Sequence, residues 1–404
     1  MSPQRTSVMI ERDLKPGWRR VKFGDVVRQC KEKADPETSG LERYIAGDHM
    51  DTDDLRLRRW GEIGSGYLGP AFHMRFKPGQ VLYGSRRTYL RKVAVADFEG
   101  ICANTTFVLE PHNPNELLPE FLPFLMQTEA FNDFSVKNSK GSVNPYINFS
   151  DLAKFEFVLP PIDEQQSAIA LLSAATDQCH AVEAAHRAAG RMLQSFKDSL
   201  LLRKTSSLAN SFLLGDLLLR SPESGCSAPP KDADTGYFVL GLAALSRDGY
   251  VSGDFKPVEP TSKMVAAKLS MGDMLISRSN TVDRVGFVGI FSDNRDDVSF
   301  PDTMMRLQPN PALVHPHFLE ALLQTTSARE FLMRIAAGTS ASMKKINRAN
   351  LLQMRLNVPD LDVQEMALDE LQQFKNAIAT QKARWDAARQ LTRLIAMRTI
   401  GGAA

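Results

Sequence analysis

The sequence predicts an α+β protein in which two similar mixed α/β heads are separated by two long antiparallel coiled-coil helices, a pseudo-twofold internal repeat. Three observations lead there. Blocks of sequence recur in the same order in the two halves of the chain. Each half ends in a short strand-like run, a proline and a long proline-free stretch. Both stretches carry a seam of mainly apolar residues at alternating steps of four and three.

The repeat is collinear over five blocks. VKFGDVV (21–27) has its counterpart in FLLGDLL (212–218), at an offset of 191. FKPGQVLYGSR (76–86) matches KLSMGDMLISR (268–278), at 192 where Arg86 is set against Arg278 and at 193 at the glycines. FVLEP (107–111) follows with MRLQP (305–309), then PEFLPFLMQT (119–128) with PHFLEALLQT (316–325). YINFSDLAKFEFVLPP (146–161) closes the series against KINRANLLQMRLNVPD (345–360), at 199. Chance does not keep five blocks in one order with so little drift.

Helix starts are expected just after Pro160 and Pro359. Asp163, Glu164 and Gln165 open the first, and Asp362, Gln364 and Glu365 the second, with acidic residues favoured in a first turn. The first seam runs Ala168, Leu172, Ala175, Cys179, Val182, His186, Ala189, Leu193, Phe196, Leu200. The second runs Ala367, Leu371, Phe374, Ile378, Gln381, Trp385, Ala388, Thr392, Ile395, Thr399. A period of 3.5 residues argues a coiled coil, and forty residues make a rod of about 60 Å.

The expected layout is a flexible arm at 1–17, a head at 18–160, a helix at 161–205, a second head at 206–359 and a second helix at 360–404. Composition is that of a globular protein, with 43% hydrophobic and 24% charged residues. No apolar run is long enough to span a membrane, and the charged N-terminus lacks a secretory signal. Four scattered cysteines form no C-x-x-C pair, so a reducing cytoplasm is the expected location.

The net charge of +2 makes any nucleic-acid surface a local matter. Arg75, Lys77, Arg86, Arg87, Arg91 and Lys92 follow one another with no acid between them, interleaved with Ser85, Tyr83 and Tyr89. In the second half Arg334, Lys344, Lys345, Arg348 and Arg355 do the same, among Ser340, Ser342, Asn347 and Asn350. Arg278 and Asn280 sit in the copy of the first run, and Lys140, Ser142 and Asn144 in a polar segment before the first junction. Arginine reads guanine bidentately, asparagine reads adenine, and lysine, serine and loop amides hold phosphates. About six phosphates neutralised would give a log–log salt slope near −5. A solvated basic face is the plain alternative for any one such run; two in equivalent heads favour DNA.

No catalytic residue is expected. Neither Pro-Pro pair, at 160–161 and 229–230, follows Asp or Asn as a base-methylating loop requires. The glycine cluster GEIGSGYLGP (61–70) lacks the strand before it and the helix after it that nucleotide binding needs. The seven histidines show no metal-ligand spacing, so no metal is expected.

GQVLYGSRRTYLRKVAVADFEGICANTTFVLEP (79–111), its weaker copy GDMLISRSN (272–280), and the junctions VLPPIDEQQSAIA (158–170) and VPDLDVQEMAL (358–368) together resemble the specificity subunit of type I restriction–modification systems. The resemblance covers essentially the whole chain. It implies a non-catalytic subunit whose two target-recognition domains each read half of a bipartite double-stranded DNA target. The helices would set the unread gap and dock two modification subunits, which would supply S-adenosylmethionine; this chain would bind no cofactor directly. Motor–nuclease subunits would join for cleavage. Two other classes stay open: a self-sufficient DNA methyltransferase or nuclease with a diverged motif, and a coiled-coil scaffold that binds proteins only.

Overall fold

The computed structural model describes residues 14–66, 68–206, 210–338 and 343–400, without the side chains of 200–206 and 210. The chain divides into two units, Met1–Ala184 with Ala383–Ala404, and Ala185–Lys382. Each unit holds one head and a part of each long helix, because both helices bury seam residues in the head cores.

In the first unit, Arg19–Lys22 pairs antiparallel with Glu156–Leu159, so the head closes on itself where the helix begins. Val27–Cys30, Thr106–Pro111, Val81–Gly84 and Val93–Val95 form one four-stranded sheet in that order. Gly61–Glu62, Arg43–Ile45, Gly100–Ala103 and Phe72–Phe76 form another. Phe23, Tyr83, Phe121 and Phe131 fill the core beneath the first sheet. Ala168 and Leu172 of the helix Ile162–Ser206 enter that core beside Ile395 and Ile400 of the far chain end. Further along, Thr392 Oγ1 donates to the Ala175 carbonyl at 3.4 Å, and Cys179 lies against Trp385 and Arg389. The two helices therefore run antiparallel within this unit.

The second unit repeats the plan. Asn210–Leu213 pairs with Arg355–Val358, and Glu223–Ser224, Met304–Leu307, Met274–Ser277 and Val288–Ile290 make the four-stranded sheet. Its second sheet has three strands, Phe255–Pro257, Phe238–Leu240 and Val298–Ser299. Both second sheets contain one parallel pairing, Tyr44 with Ile101 and Phe238 with Val298. Phe196 of the first long helix meets Phe374 of Leu361–Thr399 with ring centroids 4.3 Å apart. Leu193 and Phe196 pack on the core that holds Ala367 and Leu371.

The seam follows the heptad. Every position from Ala168 to Phe196 and from Ala367 to Thr399 is buried or half-buried, Val182, His186, Ile378 and Gln381 included. The Leu200 side chain lies outside the described residues.

A glutamine ties each head to its helix. Gln165 is fully buried; its Oε1 accepts from the Leu118 N–H at 2.9 Å, and its Nε2 donates to the carbonyls of Glu116 and Pro160, both at 2.9 Å. Gln364 does the same, accepting from the His315 N–H at 2.7 Å and donating to Leu313 at 3.0 Å and Pro359 at 2.7 Å.

Lys197 is a buried cation in the second unit. Its residue is 4% exposed, and its ammonium donates to Gln324 Oε1 at 3.0 Å. Burial, and then Lys375 nearby, hold its pKa below the ordinary lysine value. A lysine depressed in this way costs stability below its folded pKa, and the cost fades as pH rises from there to the unfolded value. Lys197→Met should therefore stabilise the protein at neutral pH by about 1 kcal/mol in urea titrations, an advantage that shrinks towards alkaline pH. A destabilised variant would mean that the Gln324 hydrogen bond outweighs the buried charge.

Candidate nucleic-acid interface

In the first head, two segments that are distant in sequence form one polar surface. Ser85 leaves the strand Val81–Gly84 buried, its N–H and Oγ both donating to the Thr105 carbonyl, at 2.9 and 2.7 Å. The Ser85 carbonyl accepts from the Ile147 N–H at 3.0 Å, Arg86 bridges to Tyr146, and the Arg87 N–H donates to the Pro145 carbonyl at 2.6 Å. Thr88 Oγ1 meets Ser139 Oγ at 2.8 Å. Arg86, Arg87, Tyr89, Lys140, Ser142 and Asn144 are all exposed on these two segments, Tyr89 at 53%. Among the described residues Arg86 and Arg87 make no ion pair, whereas Lys140 pairs with Asp151 at 2.7 Å.

The fold breaks up the basic run that looks continuous in sequence. Arg75 and Lys77 lie at and just past the end of a strand of the other sheet, where Glu32 takes both, at 3.0 and 2.7 Å, and Glu99 takes Arg75 at 2.6 Å. Arg91 pairs with Asp53 at 2.7 Å and Glu129 at 2.6 Å. Burial opposes the Arg91 charge, and the two carboxylates outweigh it and raise the pKa. Lys92 donates to the Gly47 carbonyl, and burial with Arg87 nearby lowers its pKa. The expectation of an unopposed run from Arg75 to Lys92 is thus corrected: acids remote in sequence are its neighbours in space.

The second head repeats the construction at an offset of 193. The Arg278 N–H donates to the Thr303 carbonyl at 2.8 Å, and its own carbonyl accepts from the Ile346 N–H at 2.9 Å. Ser279 pairs with Lys345 and Asn280 with Lys344. Arg278 therefore stands where Ser85 stands, and Arg86 has Ser279 as its counterpart, which corrects the pairing of Arg86 with Arg278. Asn280 is buried, turned onto Ser277 Oγ at 3.4 Å and the Thr281 N–H at 2.9 Å, so it shapes the loop. Asn347 caps the helix Arg348–Leu352 by accepting from the Ala349 N–H at 2.8 Å. Lys344 donates to the Gly338 carbonyl at 2.6 Å and Lys345 is exposed. Ser340 and Ser342 lie outside the described residues.

Sequence reasoning missed one feature here. Arg278 Nη1 and Arg348 Nη2 both reach Ser224 Oγ at 3.3 Å, which places two guanidinium groups together around a neutral acceptor. Ser224 carries no signal in sequence, since its strand is two residues long. Elsewhere, no cluster of His, Cys, Asp and Glu among the described residues could hold a metal ion, and no described helix is long and apolar enough to cross a membrane.

Residues 17–189 match the family model described as the type I restriction modification DNA specificity domain. Those residues are similar to a type I specificity domain. It is 25% identical over 152 residues to the type I restriction enzyme EcoDI specificity subunit of Escherichia coli, covering 38% of this chain and 33% of that protein. It is 26% identical over 165 residues to the putative type I restriction enzyme MjaX specificity subunit of Methanocaldococcus jannaschii, covering 40% and 39%. The matches span about a third to two fifths of the curated relatives' length. A chain from a solved type I R-M system, described for its complex assembly and conformational transition, superposes with a TM-score of 0.63 at 18% identity over 96% of this chain and 98% of that one. The two chains therefore share a fold over nearly their whole length.

Proposed function

We propose that this chain is the DNA-reading subunit of a type I restriction–modification complex, with each head reading one half of a bipartite double-stranded target. The observation that carries the reading is the shared construction at Ser85–Ile147 and Arg278–Ile346, which sets exposed basic residues beside a second polar segment in both heads. In the first head Arg86, Arg87, Tyr89, Ser142 and Asn144 face the duplex. In the second the guanidinium pair on Ser224 and Lys345 do so. Unpaired arginines suit guanine edges and phosphates, because no protein carboxylate has to be displaced first.

The helices join the heads, and the number of residues in them sets the length of the unread gap. They also carry two modification subunits, which bind S-adenosylmethionine and methylate adenine; motor–nuclease subunits add cleavage. The chain itself is non-catalytic and works in the cytoplasm.

Salt dependence tests the assignment. Arg86→Ala with Arg87→Ala should flatten the log–log salt slope of DNA binding by about two, one for each phosphate no longer neutralised. Lys77→Ala should leave the slope where it was, since Glu32 already holds that ammonium. Equal slopes for the Arg86/Arg87 double variant and the parent would remove this surface from the interface.

A further inference from the structure

Asp53 and Arg91 are both held in left-handed backbone conformation, at φ 56° and 51°, with Arg87 the remaining described non-glycine residue at positive φ. Such conformations persist where the surroundings over-determine them. Here they do. Asp53 Oδ1 accepts from Arg91 Nε at 2.7 Å and Asp53 Oδ2 from Arg393 Nη2 of the second long helix at 2.8 Å. The other Arg91 nitrogens go to Glu129 Oε2 at 2.6 Å and the Gln127 carbonyl at 2.9 Å, so each has its partner inside the protein. Thr52 Oγ1 donates to the Leu90 carbonyl at 2.9 Å. A few residues on, Arg58 pairs with Asp54 and with Glu183 of the first long helix, both at 2.7 Å. The turn at 51–58 is thus tied to both long helices on one side and to the loop carrying Arg86, Arg87 and Tyr89 on the other.

We infer that this turn is a brace through which the two long helices set the conformation of the first head's recognition loop. Arg91 and Asp53 are positioning residues, and Arg91 makes no DNA contact of its own. The inference rests on the DNA reading proposed above. The second head does the same job differently: Arg329, from its own helix Thr326–Ile335, donates to the carbonyls of Val285 and Asp283 at 2.7 and 3.1 Å. The long helix reaches this loop only at second hand: Asp198 accepts from the Thr326 N–H and Oγ1, at 2.9 and 2.7 Å, at the start of the helix that carries Arg329. Arg393 pairs with Asp53 of the first head, so disturbing that one charge should loosen the first reading head and spare the second.

Arg393 is exposed enough to substitute without disturbing the core, and Arg393→Glu sets a carboxylate against Asp53. The full-length variant would be used to select from a pool of randomised duplex DNA, with its free form followed by amide hydrogen exchange over residues 84–93. Discrimination at the first head's half-site should fall about tenfold while the second half-site and the salt slope hold. Exchange over 84–93 should quicken, and Arg393→Lys should restore both. Asp53→Asn, which tolerates the left-handed backbone, should reproduce the effect. Undiminished discrimination with unchanged exchange, or equal loss at both half-sites, overturns the brace. A parent protein that selects no sequence overturns the DNA reading instead, and the exchange arm then judges the brace separately.

Discussion

On the DNA reading proposed above, replacing residues 206–359 with the second head of another chain of this fold is expected to rewrite one half of the target and leave the other half unchanged. Each head owns its core: Phe23, Tyr83 and Phe131 in one, Met274, Phe318 and Leu332 in the other, with no residue in common. The first helix asks an incoming head for partners to Lys197 and Asp198, which meet the Gln324 and Thr326 side chains, whereas the start of the second helix asks little. Gln364 binds only backbone groups, the His315 N–H and the Leu313 and Pro359 carbonyls, which any sequence with this backbone supplies. A specific site is preferred over other DNA by about a thousandfold or more, so the change amounts to a preference of that size moving to a new sequence. Methylome sequencing of cells that express the chimera with a modification partner reads it directly. A target altered in both halves would refute independent reading.

Gln165→Leu should be among the most damaging single substitutions in the chain. It leaves the Leu118 N–H and the Glu116 and Pro160 carbonyls unsatisfied at a fully buried site, at about 1–3 kcal/mol per stranded group. A loss of about 3–5 kcal/mol in chemical denaturation is expected once partial rearrangement is allowed for, with Gln364→Leu similar. Gln372→Leu, on the exposed face of the second helix, should stay within about 0.5 kcal/mol. If Gln165→Leu behaves like Gln372→Leu, the clamp contributes nothing to attaching the head.

These two glutamines mark the limit of legibility. Both stand in the matched junctions at the shared offset of 199, and helix-start statistics account for their neighbourhood. Nothing periodic announces that their amides reach back to a backbone some fifty residues earlier. Asn280 is a similar case: its type suits adenine, and its actual partners are Ser277 and the Thr281 N–H. The Arg86 alignment slipped by one residue because matching letters outweighed matching backbone, and strand pairing set it right through Ile147 and Ile346.

The sequence alone determined the repeat, the two long helices, the seam and the strand–proline–helix junctions. Each is local or periodic, and a helix or heptad is written in neighbouring residues. Only the tertiary structure decided which cations remain free. Ion pairing depends on distance in space, and Glu32, Asp53, Glu99, Glu129 and Arg393 reach their partners from elsewhere in the chain. Arg86 and Arg91 read alike in sequence, five residues apart on one basic loop. Folding left the first facing solvent and spent every hydrogen-bonding edge of the second inside the protein.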